Sequence, residues 1–246
     1  MLRALRRRLN RVPQRHVSAD FRARQPELAD VIEQVMARNL TYLPGPALQD
    51  LAEVVQEADQ AEMEGAVIEA GTALGGSAIV LARAKNAARP LLLYDVFGTI
   101  PQPSEKDDSD VQQRYRKIVS GQAAGIGGDL YYGYHDDLLH EVEQNIGSFD
   151  LDLGRDSIRL VKGKYQDTMP VSLPVAIAHI DCDWYDSVMT CLVGIGPSVV
   201  AGGRMVIDDY DAWSGARRAV DDFLGSPPGT RYRREHRTRL HLVATS

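Results

Sequence analysis

The chain has 246 residues, of which 44% are hydrophobic and 25% are charged, as in an ordinary globular protein with room for one α/β domain and an extension. Its formal net charge of -6 at pH 7 argues against general nucleic-acid binding. No apolar run reaches the roughly 18 residues that a transmembrane helix needs. The two cysteines, Cys182 and Cys191, form no CxxC pattern. They therefore predict small core residues in a reducing, cytoplasmic compartment.

An arginine-rich extension is predicted over residues 1–24. Its arginines crowd around Leu2, Leu5 and Leu9, which recur at helical spacing. No apolar core follows these charges, so the stretch is not a signal peptide. It could be a helix that lies on anionic lipid or grips a partner, or a basic arm that packs on an acidic neighbouring subunit.

A helical cap is predicted over residues 25–64. Apolar side chains recur at the i, i+3, i+4 and i+7 spacing over residues 26–39 and again over residues 47–61, with the breaker TYLPGP between them. Each pattern indicates an amphipathic helix with one buried face. We expect both faces to pack in the core.

The first predicted strand, residues 65–70, leads through a glycine-rich turn into a helix over residues 78–87. Such a turn lets the backbone approach a ligand closely, and the free N–H groups of the helix N-terminus face it. The spacing is not GxGxxG, which argues against a dinucleotide-binding fold. A second strand over residues 91–94 ends in Asp95, an acid placed to accept hydrogen bonds from ribose hydroxyls. Glu69 and Asp95 would then straddle a nucleoside.

A long polar segment over residues 98–134 interrupts this pattern, with one predicted helix near residues 111–120. An insertion of this length is usually a lid over a site or a disordered loop. Its tyrosines give it aromatic surface, which favours a lid. The elements predicted after it are a helix over residues 136–146, a third strand over residues 157–161 and a short helix over residues 165–169.

Two apolar strands, residues 175–180 and 204–207, are each followed by acids, and a helix over residues 184–199 is predicted between them. As neighbouring parallel strands they would bring their carboxyl ends side by side at the ligand crevice of the sheet. The acids are hard oxygen ligands, which indicates Mg²⁺ or a similar divalent ion. Any one of them could instead cap the following helix. The four acids are Asp181, Asp183, Asp208 and Asp209.

The chain ends with a helix predicted over residues 213–224 and two strands, residues 231–236 and 239–243, that suggest an antiparallel hairpin. We therefore predict one α/β domain over residues 65–246 with a mostly parallel seven-stranded sheet that closes on this hairpin. This is the outline of a Rossmann-like class I methyltransferase.

From Gly65 to Phe223 the chain resembles the macrocin-type sugar O-methyltransferases, which use S-adenosylmethionine and a metal ion. The similarity lies in VIEAGTALGGS, LLLYDVFG, KGKYQDTMP, HIDCDWYDS and GGRMVIDDYDAWSGARRAVDDF. The last two motifs are specific in this spacing. The segment 98–134 and the arginine-rich start have no counterpart that we can align, and these regions are expected to choose the acceptor.

The resemblance implies a role for each predicted site residue. Asp95 would hold the ribose of the methyl donor. Asp183 would be the general base that accepts a proton from a sugar hydroxyl, and the acceptor would be a glycoside or sugar. A homo-oligomer is also expected. Residues expected to hold the donor at the first turn are Glu69, Gly71, Gly75 and Ser77, and the expected Mg²⁺ ligands are Asp181, Asp208 and Asp209.

Other interpretations share some of these features. A catechol-type methyltransferase would have the same donor and metal but a phenolic acceptor, and such enzymes generally carry Asp-Asn where this chain has Asp208 and Asp209. A DxD motif also occurs in metal-dependent glycosyltransferases, which the glycine-rich first turn fits poorly. A donor-binding module without catalysis is a third alternative. His179 lies just before the acids and could be proposed as the base, but its position inside a strand predicts an interior histidine.

Overall fold

The computed structural model describes residues 16–245. Residues 1–15, which contain six of the eight arginines of the predicted extension, lie outside the described residues, so the predictions about that arm remain predictions. Among residues 16–245, no helix combines the length and the apolar character that crossing a bilayer would require.

The described chain forms one seven-stranded sheet with the strand order β3-β2-β1-β4-β5-β7-β6. Strands β1 to β5 are parallel, and β7 runs antiparallel between β5 and β6. The predicted mostly parallel sheet with a C-terminal hairpin is confirmed. The strands are β1 Ala66–Ala70, β2 Leu91–Asp95, β3 Ile158–Lys162, β4 Val175–Ile180, β5 Val199–Ile207, β6 Tyr232–His236 and β7 Leu240–Ala244.

Helices cover both faces of the sheet and create two hydrophobic cores. The first three helices, α4 and α6 pack on one face, whereas α8 and α9 pack on the other. Strands β1 and β4 are buried along their whole length, which explains their continuous apolar sequence. The helices are α1 Ala19–Arg24, α2 Pro26–Ala37, α3 Gly45–Gln60, α4 Gly76–Ala84, α5 Ser109–Val119, α6 Leu138–Gly147, α7 Tyr165–Thr168, α8 Tyr185–Ile195 and α9 Ser214–Leu224.

The boundary between α8 and β5 differs from the prediction. The helix ends at Ile195, a short 3₁₀ turn with Pro197 follows, and the strand begins at Val199, five residues before the predicted start. The pairing between β4 and β5 shifts register, because Val175 pairs with Val199 but Ile177 pairs with Arg204. The extra residues of β5 form an irregularity in the pairing. They include two glycines that interrupt the apolar pattern, so the first half of the strand could not be recognised from the sequence. Every other strand begins and ends within one residue of its prediction.

Candidate active site

A cavity of about 610 Å³ opens at the carboxyl ends of the central strands. Its floor contains Gly71 after β1, Asp95 at the end of β2, and the acids that follow β4 and β5. All four of the acids that the sequence analysis grouped together line this cavity. Ligands of open α/β sheets bind in this position.

Gly71 brings the first turn against the neighbouring strand. It has a φ of +100°, which side-chain-bearing residues rarely adopt, and its N–H donates to the Tyr94 carbonyl at 2.9 Å. A Cβ at this position would lie 1.9 Å from the carbonyl oxygen of Asp181. Only glycine therefore allows the turn to approach the first acid motif so closely.

The carboxylate of Asp95 organises the same turn. One of its oxygens accepts hydrogen bonds from the N–H groups of Thr72 at 2.8 Å and Ala73 at 3.1 Å, and the other accepts one from Phe97 at 2.8 Å. Burial raises the pKa of Asp95, although these three N–H groups favour the ionised form. Asp95 lines the cavity, but most of its hydrogen-bonding capacity is already used by the backbone.

Glu69 lies beneath the turn and is fully buried. Its carboxylate pairs with Nδ1 of His179 at 3.0 Å, and the second oxygen has no hydrogen-bond partner. Burial opposes the charged form of His179, but the hydrogen bond to Glu69 and nearby acids raise its pKa. The prediction of an interior histidine is confirmed. Glu69, Gly75 and Ser77 do not line the cavity, so their contact with a donor stays a prediction.

The sheet register brings three acids together. The Asp181 N–H donates to the Ala70 carbonyl at 2.8 Å, and the Asp208 N–H donates to the Ile180 carbonyl at 3.0 Å. Carboxylate oxygens of Asp181, Asp208 and Asp209 consequently lie within 4.8 Å of one another. The second oxygen of Asp209 is buried without a hydrogen-bond partner. These geometries fit a divalent cation with oxygen ligands.

The electrostatic environment of the three acids also favours a bound cation. Burial raises the pKa of both Asp181 and Asp209 well above the ordinary value, and the neighbouring carboxylates raise it further. Like charges at this distance repel each other unless protons or a cation neutralise them. Mg²⁺ would supply that charge.

Arg239, at the start of β7, is a member of the site that the sequence analysis missed. Its Nε donates to Oδ1 of Asp208 at 2.5 Å. Burial works against its charge, but Asp208 and the neighbouring acids raise its pKa. No local sequence signal predicts the pair, because it depends on β7 returning next to β5.

Asp183 lies beside the three clustered acids and interacts with Asp209. Burial raises its pKa to about 6, and the interaction with Asp209 and the charge of Arg114 partly counteract this effect. A carboxyl with a pKa in this range is suited to accept a proton near neutral pH. Asp183 and Trp213 both line the cavity.

The insertion 98–134 forms a wall of the cavity and is docked on α8 and α9. Asp107 accepts a hydrogen bond from the Tyr185 N–H at 2.8 Å, at the start of α8. Asp110 accepts bonds from the N–H and the hydroxyl of Ser214, at 3.1 and 2.5 Å, at the start of α9. Since α8 follows the first acid motif and α9 follows the second, the insertion contacts the elements that carry both. The sequence analysis missed these two caps, which join residues far apart in the chain.

Aromatic side chains complete the wall near Asp183. Tyr131 and Tyr132 make a tilted contact with ring centroids 4.4 Å apart, and Tyr42 meets Tyr132 edge to face at 6.3 Å. All three line the cavity, and the charge of Asp183 contributes to the raised pKa of each phenol after burial. Tyr42 comes from the connection between α2 and α3, a region that the sequence analysis treated as a breaker.

Two curated proteins with similar sequences are named as O-methyltransferases. One relative is demethyldecarbamoylnovobiocin O-methyltransferase from Streptomyces niveus, 25% identical over 189 residues, which cover 72% of this chain and 64% of that protein. Another is an 8-demethyl-8-(2,3-dimethoxy-alpha-L-rhamnosyl)-tetracenomycin-C 4'-O-methyltransferase from Streptomyces olivaceus, 27% identical over 169 residues, or 65% of this chain and 58% of that protein. The chain thus spans about three fifths of the length of these curated relatives.

Solved structures share the fold. The O-methyltransferase NovP aligns with a TM-score of 0.68 at 22% identity, over 84% of this chain and 83% of that chain. The calicheamicin methyltransferase CalS11 aligns with a TM-score of 0.58 at 15% identity, over 98% and 90%. The predicted Rossmann-like methyltransferase fold is confirmed. The sequence model described as macrocin-O-methyltransferase (TylF) matches residues 35–226, most of the chain, and the protein belongs to this family.

Proposed function

We propose that the protein is a Mg²⁺-dependent O-methyltransferase that moves a methyl group from S-adenosylmethionine to a sugar hydroxyl. The observation that carries the proposal is the convergence of Asp181, Asp208 and Asp209 beside Asp183, in one cavity with the Gly71 turn. The cluster offers a metal site and a separate base, and the turn offers a donor site. Both curated relatives are named as O-methyltransferases, and the name of one describes a rhamnosyl-bearing compound, which supports the same chemistry.

The donor would lie against the Gly71 turn at the ends of β1 and β2. Gly71 and Asp95 line the cavity there. One oxygen of Asp95 already accepts hydrogen bonds from the N–H groups of Thr72 and Ala73. A ribose hydroxyl would therefore donate to the other oxygen, which accepts only the Phe97 N–H. We infer that Glu69, Gly75 and Ser77 support the turn from beneath and at the start of α4. S-adenosylmethionine supplies an electrophilic methyl group when bound.

Asp181, Asp208 and Asp209 would hold the ion. Mg²⁺ prefers carboxylate and water oxygens, and the unpaired buried oxygen of Asp209 fits this requirement. A divalent cation supplies the Lewis acidity that makes a sugar hydroxyl easier to deprotonate. Arg239 holds Asp208 through one oxygen and fixes the orientation of that carboxylate.

Asp183 would accept the proton of the acceptor hydroxyl. A positioned base of this kind contributes about 10²- to 10⁴-fold to the rate. Its raised pKa, about 6, favours proton transfer near neutral pH, and Arg114 helps to keep it ionised. The cavity walls from residues 98–134 and Tyr42 would exclude water and align the hydroxyl with the methyl group, which contributes further.

The acceptor would be a sugar on a glycosylated natural product or a nucleotide sugar. The cavity wall formed by Tyr42, Tyr131 and Tyr132 offers aromatic faces for the apolar side of a sugar ring. We further propose that residues 98–134 act as the lid of a methyltransferase domain spanning residues 65–246. The two buried free cysteines are compatible with a cytoplasmic location. Assembly into a homo-oligomer stays a prediction.

The experiment that tests this function measures S-adenosylhomocysteine release with Mg²⁺ over a panel of glycosides, nucleotide sugars and catechols. Asp183→Asn should keep metal and donor affinity and lose at least about 100-fold in turnover. The matched control is Asp186→Asn, which alters an exposed acid in the first turn of α8 and should leave turnover unchanged. Normal turnover in Asp183→Asn would refute the assignment of the base. Activity on catechols alone would replace the sugar acceptor with a phenolic one.

A further inference from the structure

A basic face of α5 points into the cavity. Arg114 and Lys117 are three residues apart on this helix, and both line the cavity. Within the described part of the chain, neither forms an ion pair with an acidic side chain. Arg116, the other cation of this helix, does not line the cavity, so Arg114 and Lys117 are the charges of α5 that face the region where a substrate would bind.

Arg114 is held in a defined position. Its guanidinium lies over the ring of Tyr131, 5.3 Å from the centroid, and only 2% of Tyr131 is exposed. Contact with an aromatic face uses the π surface of a guanidinium and leaves its N–H donors available. A planar fork of donors in a cavity matches an oxyanion, with which arginine forms paired charge-assisted hydrogen bonds.

Arg114 lies on the acceptor side of the cavity, because its guanidinium packs on Tyr131, which contacts Tyr132. Its charge acts on Asp183, Tyr42 and Tyr131. Asp95, on the donor side, accepts its hydrogen bonds from the backbone N–H groups of Thr72, Ala73 and Phe97. The carboxylate of the donor is therefore a less suitable partner for Arg114 than a group on the acceptor.

From these positions we propose that the acceptor sugar carries an oxyanion, either a phosphoryl group or a carboxylate, which Arg114 and Lys117 bind. The inference rests on the proposed function and narrows its acceptor class. The three clustered acids and their ion would hold the reacting end of the sugar, while α5 would bind its anionic end. A neutral glycoside would leave the partly buried guanidinium of Arg114 without an anionic partner, whereas an oxyanion would pair with it and with the exposed Lys117.

The test is calorimetric binding to the protein saturated with S-adenosylhomocysteine and Mg²⁺. The probes are glucose 1-phosphate, glucuronate and neutral methyl glucoside. Of glucose 1-phosphate and glucuronate, we expect the one with the higher affinity to bind at least about tenfold more tightly than methyl glucoside. Preference for glucose 1-phosphate assigns a phosphoryl group, and preference for glucuronate assigns a carboxylate.

Three variants locate the contact. Arg114→Gln and Lys117→Gln should each weaken binding of the anionic sugar by about tenfold, with unchanged affinity for S-adenosylhomocysteine. Arg116→Gln is the matched control, because Arg116 is an exposed cation of the same helix outside the cavity. Equal binding of the three sugars would overturn the inference, as would loss of S-adenosylhomocysteine affinity in Arg114→Gln. Absence of S-adenosylhomocysteine binding by the unmodified protein would instead refute the proposed methyltransferase function.

Discussion

Asp110 and Ser214 are 104 positions apart in the chain, yet their side chains meet at 2.5 Å. Asp110 also accepts a hydrogen bond from the Ser214 N–H at 3.1 Å. It therefore caps helix α9, which begins shortly after Asp208 and Asp209. Through this cap the insertion 98–134 is connected to the segment that carries two of the clustered acids.

Loss of this cap should loosen the insertion. Asp110→Ala removes both hydrogen bonds, and the free energy of unfolding should fall by about 1 kcal/mol, as for other N-caps. Thermal unfolding and limited proteolysis of residues 98–134 would measure the effect. The control is Asp108→Ala, since Asp108 is exposed and its side chain caps no helix. Equal protease resistance in both variants would show that the cap does not hold the insertion.

Gly71→Ala should disrupt the contact between the first turn and Asp181. The added Cβ would lie 1.9 Å from a backbone oxygen in a residue with φ of +100°, so the turn must move. We expect a loss of unfolding free energy of more than about 1 kcal/mol and weaker donor binding. Gly147→Ala, at the end of α6, is the control because its Cβ would meet nothing within 4 Å. Matching melting temperatures for the two variants would contradict this reading of Gly71.

Removal of divalent ions should destabilise the protein more at higher pH. Asp183 has a folded-state pKa of about 6, above its ordinary 3.8, so folding favours its protonated form and stability falls as the pH rises through this interval. Asp181 and Asp209 have pKa values raised in the same direction. A bound cation offsets their charge. The rise in melting temperature on adding Mg²⁺ to chelator-treated protein should be larger at about pH 8 than at about pH 5.

The control for this pH dependence is Asp181→Asn combined with Asp209→Asn. These substitutions remove two of the titrating ligands and should abolish most of the Mg²⁺ effect at either pH. A rise in melting temperature that is independent of pH in the unmodified protein would contradict a metal site built from these carboxylates.

The sheet and the grouping of the four acids could be predicted from sequence because they depend on local patterns. Strands β1 and β4 are buried on both faces, so their apolar runs reveal them. Acids placed directly after adjacent parallel strands must lie at one edge of the sheet. The start of β5 was not predictable in this way, because Gly202 and Gly203 interrupt its apolar pattern.

The partners of these acids could not be predicted, because they come from distant parts of the chain. Arg239 reaches Asp208 only after the chain has added β7 beside β5. Likewise, Glu69 has the sequence position of a donor ligand, but its side chain turns toward His179 in the neighbouring strand. Tertiary contacts of this kind leave no periodic signal in the sequence.

The most direct test of a metal-dependent methyltransferase is calorimetric titration of S-adenosylhomocysteine and of Mg²⁺ into the purified protein and into Asp208→Ala. We predict micromolar binding of the nucleoside, about -8 kcal/mol, to both proteins. The unmodified protein should also give a separate Mg²⁺ signal, which Asp208→Ala should abolish and the control Asp186→Ala should retain. Failure of the unmodified protein to bind S-adenosylhomocysteine, or an unchanged Mg²⁺ signal in Asp208→Ala, would contradict the proposed site.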